Sequence, residues 1–122
     1  MASIVSAVAW IQAGAIQAQQ SPNCLRNRKP DICAVTPMTA ASNQRQTTER
    51  ITFADHSVYE VVRDERSCKR ESERIILCRA TIRTPPGNPK PQRARYRGSA
   101  YEGGYRHDFS SPTISITYFI LD

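Results

Sequence analysis

Apolar and polar residues alternate most regularly in two stretches of the chain. Ile76, Cys78, Ala80 and Ile82 interleave with Leu77, Arg79, Thr81 and Arg83, a period of two that turns the first set toward a core and predicts a strand. Ile114, Ile116, Tyr118 and Ile120 interleave with Thr113, Ser115, Thr117, Phe119 and Leu121, and their β-branched content predicts the central strand of a sheet. Thr84 to Pro91 lies between them with four prolines and a glycine; prolines remove ladder donors, so this segment reads as an exposed loop. A different spacing comes earlier. Val58, Val61 and Val62 stand at i, i+3 and i+4, Phe53 leads in, Cys68 trails, and Asp55 offers a cap. Together they predict a helix near His56 to Lys69 with Glu60, Arg63, Asp64 and Arg66 on its solvated face.

One helix followed by strands is therefore the expected content, an α+β fold. A chain of 122 residues supports one such domain, and three segments are distinguished. Residues 1–18 are apolar and alanine-rich from Ser3 onward, interrupted by Gln12 and Gln17 and ending in small residues. They read as a cleaved secretory signal, although no Lys or Arg precedes the apolar run, and Trp10 would leave with it. The run is shorter than the ~20 residues a bilayer-spanning helix needs, so no membrane association is expected of the mature form. Residues 19–50 carry Pro22, Pro30 and Pro37 without a hydrophobic period and read as an extended polar arm. Residues 51–122 form the expected domain, whose end, one residue after its strongest strand, suggests a shortened C-terminus.

Cysteine and charge add chemistry to this outline. Cys24, Cys33, Cys68 and Cys78 are an even set in a short exported chain, which points to two disulfides with three possible pairings. Cys24–Cys33 would close a small N-terminal loop and Cys68–Cys78 would tie the predicted helix to the next strand; a crossed pairing stays open. Their intervals lack the close pairs of a zinc site, so neither metal nor cofactor is expected. Seventeen Lys and Arg against eleven Asp and Glu give a formal charge of +6, and fourteen of the cations are arginines, the side chain suited to bidentate phosphate contact. Arg93, Arg95 and Arg97 alternate with Ala94 and Tyr96 and would share one strand face. With Lys90 and Arg83 they form an acid-free stripe, the best phosphate-binding candidate, although an edge strand guarded against aggregation would carry the same cations. Tyr96, Tyr101 and Tyr105, with Arg106 beside them, suit stacking on bases, and packing on a strand face accounts for them equally. His107 follows Glu102 across Gly103-Gly104, where a turn could pair imidazole with carboxylate as acid and base; a surface histidine after a glycine turn is the plainer alternative.

Phe53 with Val58, Val61, Val62 and Cys68, the basic extended segment, Tyr101-Glu102-Gly103, and Ser111-Pro112 leading to Tyr118-Phe119-Ile120-Leu121 together carry a resemblance. From about Thr52 to its end the chain resembles the fungal guanyl-specific ribonucleases. It is more similar still to the non-catalytic ribonuclease-like effectors secreted by plant-pathogenic fungi. The resemblance implies a microbial-ribonuclease-like fold, one helix packed on a small antiparallel β-sheet, with Tyr101 and Glu102 as the guanine-reading pair: a phenol ring stacks on an unpaired base and a carboxylate accepts its N–H groups. It also implies lost catalysis. Thr117 stands where the family's catalytic glutamate would be, no histidine precedes Tyr-Glu-Gly at the family's position, and the later arginine and histidine would fall beyond Asp122. Threonine cannot accept the 2′-hydroxyl proton near neutral pH. The expectation is a secreted monomeric effector that binds host RNA or protein without cleaving RNA, using Arg93, Arg95, Tyr96, Arg97, Tyr101, Glu102, Tyr105 and Arg106. Two alternatives stay open: a guanyl-preferring endoribonuclease with Glu102 and His107 as its acid and base, and a small basic toxin or inhibitor facing an acidic protein.

Overall fold

The computed structural model describes residues 21–86 and 88–121; the predicted signal at 1–18 lies outside them. Ten strands follow one another: β1 (Cys24–Arg26), β2 (Lys29–Asp31), β3 (Cys33–Pro37), β4 (Gln46–Phe53), β5 (Val58–Asp64), β6 (Lys69–Ser72), β7 (Ile75–Arg83), β8 (Gln92–Tyr101), β9 (Gly104–Ser110) and β10 (Ser115–Leu121). Their order across a single sheet is β2-β1-β10-β9-β8-β7-β5-β4-β3, and β6 pairs with the first half of β7. Every pairing is antiparallel, and the sheet curls into a nearly closed barrel.

The expected α+β fold is thus corrected to an all-β one, and the helix near His56 to Lys69 is replaced by β5 and a single 3-10 turn, Glu65–Ser67. The described residues contain no α-helix. Three valines and a tyrosine within Val58–Val62 favour extended backbone, where branched side chains keep their χ1 freedom. The helical spacing of the valines is fortuitous: Val61 is buried at the core, whereas Val58 and Val62 alternate with it onto the other face. Asp55 caps no helix. Its carboxylate accepts the Ser57 amide at 2.9 Å in a tight turn where His56 has φ 72°, and that turn joins β4 to β5. The polar stretch 19–50 contributes β1 to β3 and most of β4 to the same sheet.

The two predicted strands form as expected. Cys78, Ala80 and Ile82 on β7 and Ile116 and Tyr118 on β10 are buried, and they join Ile51, Phe53, Val61, Ala94, Tyr96 and Phe109 in one interior cluster. Both disulfides are the sequential pairs, Cys24–Cys33 and Cys68–Cys78; loops of this length are worth about 2.5 kcal/mol each in the chain-entropy account. Cys24–Cys33 lies at the seam where the two ends of the sheet approach. Beside it, the Asn23 side-chain amide both donates to the Cys33 carbonyl and accepts from the Cys33 amide, at 2.8 and 2.9 Å. Arg26 lies over the Phe53 ring and forms ion pairs with Asp31 and Asp55. The Arg26 hydrogen bond is the chief reason the Asp55 carboxyl stays far below the usual carboxylate range.

Candidate nucleic-acid interface

The strand period sorts β8 into two chemistries. Ala94, Tyr96 and Gly98 are buried inward, while Arg93, Arg95 and Arg97 are exposed outward. Register places Arg79 of β7 opposite Arg95, Leu77 opposite Arg97, and Asp108 of β9 on the other side of Arg97. Two like charges directly opposite each other cost stability, on the order of 0.2–1 kcal/mol. Among the described residues, Arg93, Arg95 and Arg97 form no salt bridge, whereas Arg79 reaches Asp64 at 3.4 Å and Arg106 reaches Asp108 at 2.9 Å. Asp108 also accepts the Thr117 hydroxyl at 2.5 Å.

Around these strands the outer surface is hollowed into two adjoining grooves of about 1060 and 870 Å³ that share Arg79, Arg95 and Ser110. Cations from further places complete the lining. Arg28 comes from the β1–β2 turn, Arg66 and Lys69 flank Cys68, and Arg106 comes from β9. The Cys68–Cys78 bridge fixes Arg66 and Lys69 against β7, and Ser67 supports them by accepting the Arg79 amide at 2.7 Å. The two grooves hold eight cations against two carboxylates, Asp64 and Asp108. Nine charges of each sign remain in the rest of the sequence, so the whole net charge resides on this face.

The residues expected to bind RNA are divided by the barrel wall. Arg93, Arg95, Arg97 and Arg106 come together on the outer face, and Tyr101, 38 % exposed, ends β8 at its rim. Tyr96 is 1 % exposed and Tyr105 alternates onto the inner side with it, so these two face the interior. Glu102 and Gly103 form the two-residue connection from β8 to β9, where Gly103 takes φ +90°, a left-handed conformation that glycine enters without strain. Arg83 leaves the stripe: together with Arg50 it faces Glu60, at 3.5 and 3.8 Å respectively. Arg28, Arg66, Lys69 and Arg79 were missed because turns and strand pairing, not local spacing, bring them to the groove. Only the outward position of Arg79 was legible.

His107 points inward and has no contact with Glu102. Its Nδ1 shares a 2.7 Å hydrogen bond with the Tyr96 hydroxyl, and its ring stacks on Tyr118 at 4.6 Å. Burial, then the nearby Arg63 charge, lowers its pKa to about 4, so the imidazole is neutral at pH 7. Arg63 lies 4.6 Å over the Tyr96 ring and pairs with Glu65, which also accepts the Thr47 hydroxyl. The Tyr118 hydroxyl donates to Glu49; burial first, and the Glu49 charge second, raise the phenol far above its ordinary range. Gly98 makes this packing possible, since a Cβ there would lie 2.5 Å from the hydroxyls of both Tyr96 and Tyr105. Sequence reasoning missed Glu49, Arg63, Glu65 and Tyr118 as one polar cluster because they meet across the barrel.

Comparison with protein-family models, curated proteins and solved structures finds no match.

Proposed function

We propose that this chain is an exported, disulfide-stapled β-barrel that binds RNA through the outer arginine face of β7, β8 and β9 without cleaving it. The observation that carries this reading is the confinement of the entire net charge to one grooved face, eight cations against two carboxylates. Phosphates on a flexible backbone satisfy such a face, and counterion release favours their binding. Arg79 and Arg95 stand opposite each other without an intervening carboxylate, an arrangement that a bound phosphate would relieve. Export accords with two disulfides and no free cysteine among the described residues, since such bridges persist in oxidising compartments. The strand geometry supports the absence of cleavage: His107 and the arginines of the outer face occupy opposite faces of the sheet. A phosphate on the outer face is therefore out of the imidazole's reach, and Asp64 and Asp108 are already engaged by arginines.

The test is fluorescence anisotropy with labelled RNA over a salt series, with gel analysis of the same RNA afterwards. Affinity that falls steeply with salt, on RNA that remains intact, is expected. Salt-independent affinity would sink the proposal, as would strand scission, or selective capture of an acidic protein with no RNA binding at low salt.

A further inference from the structure

Resting on that reading, we infer that the groove takes a single RNA strand that crosses the β-strands from β6 to β1, rather than a duplex. The larger groove is lined in turn by Lys69 of β6, Arg79 of β7, Arg95 and Arg97 of β8, Arg106 of β9, Thr117 of β10 and Leu25 of β1. These six strands are neighbours in that order, so the lining runs across the sheet. Five inter-strand steps of ~4.8 Å give a path of about 24 Å. Such a path accommodates roughly seven nucleotides at stacked spacing and fewer when extended, within the range of known single-strand sites.

The composition of the floor separates the two kinds of RNA. A duplex turns its phosphates and sugars outward and keeps its base faces stacked inside, so a duplex-binding surface needs cations and hydrogen-bond donors. This groove also exposes apolar surface between its cations. Leu77 is 39 % exposed beside Arg97 and lines the groove with Leu25. Next to Thr117 at the groove's border, though outside its lining, Phe119 of β10 lies under the Arg106 guanidinium, 5.7 Å from ring centre to Arg106 Cζ. Apolar surface between phosphate-binding arginines suits unstacked bases, whose faces a duplex does not offer. Arg28 and Lys69 mark the two ends of the path.

The decisive experiment compares a uridine oligonucleotide of about eight residues with an RNA duplex of about 16 base pairs. Both are titrated against the full chain by anisotropy at fixed salt. The single strand should bind at least about tenfold more tightly. Arg28→Gln and Lys69→Gln should each weaken the octamer by about 3- to 10-fold while leaving a trimer nearly unaffected, since a trimer cannot reach both ends. Circular dichroism of both variants confirms that the barrel is intact. Equal or tighter binding of the duplex overturns the single-strand path and leaves the RNA-binding reading standing. Octamer affinity unchanged by both substitutions likewise overturns the path across the sheet. Failure of both RNAs to bind the unaltered protein overturns the RNA-binding reading itself.

Discussion

Strand β8 presents two surfaces that differ in every physical respect although they share one backbone. Its outer residues, Arg93, Arg95 and Arg97, are solvated and form no salt bridge among the described residues, and Arg95 is set against a further cation, Arg79. Its inner residues, Ala94, Tyr96 and Gly98, are buried, and the Tyr96 hydroxyl is satisfied by His107. The outer face tolerates like-charge repulsion because water screens it, whereas the inner face must pair each polar group because an unsatisfied one costs about 1–3 kcal/mol. Substitutions on the two faces should therefore separate affinity from stability.

The largest separation is expected from the outside. Replacing Arg79, Arg95 and Arg97 together by Gln should reduce RNA affinity by about 100-fold or more and lower the slope of log affinity against log salt by about 0.7 for each phosphate no longer neutralised. Denaturant titration of the same variant should show unchanged or slightly higher stability, because the Arg79–Arg95 repulsion is removed. On the inside, Gly98→Val should cost about 2–3 kcal/mol in urea unfolding, since its side chain would collide with two tyrosine hydroxyls and Ile76. RNA affinity of the fraction that stays folded should hold. Tyr118→Phe leaves Glu49 without its phenol donor, and a decrease of about 1–3 kcal/mol is expected in the same measurement.

The smallest effect concerns acid. His107 is held at about 4 in the folded chain, mainly by burial, against ~6.5 in the unfolded one. Between those values the unfolded state binds the extra proton, so this contribution is complete above about pH 6.5 and is lost as pH falls toward 4. Allowing for the half-buried ring, about 1–2 kcal/mol should disappear over that window. His107→Gln should flatten the stability profile between these pH values; an unchanged profile would place the acid sensitivity elsewhere in the interior.

The same contrast explains what was legible in the sequence. Alternation along β7, β8 and β10 is local, so the inward set Ile76, Cys78, Ala80 and Ile82 and the outward stripe of Arg93, Arg95 and Arg97 could be read directly. The valines of β5 satisfied a helical spacing and a strand propensity at once, and the spacing misled because only pairing with β4 and β7 decides between them. The strands of the extended arm 19–50 went unread for a related reason, since a short strand such as Cys24–Arg26 gains ladder bonds from β10, far along the chain. The candidate site was legible in its β8 portion and in Arg106 of β9. Arg28, Arg66 and Lys69 reach the groove through turns and a disulfide, and the Glu49–Tyr118 contact joins residues 69 positions apart.

The seam beside Cys24–Cys33 gives the barrel a dependence on its surroundings that the ladders themselves do not have. No ladder pairs β2 or β1 with β3 in the strand order, so the ring is held there by the one-residue backbone link from Asp31 through Ile32 to Cys33, the Cys24–Cys33 bridge and the Asn23 hydrogen bonds to Cys33. In a reducing cytosol the bridge would be lost while the backbone link stays, so the seam would loosen without opening, and Pro30 and Pro37 would deter its short strands from recruiting others. Oxidation would then tighten a closure that the backbone already spans.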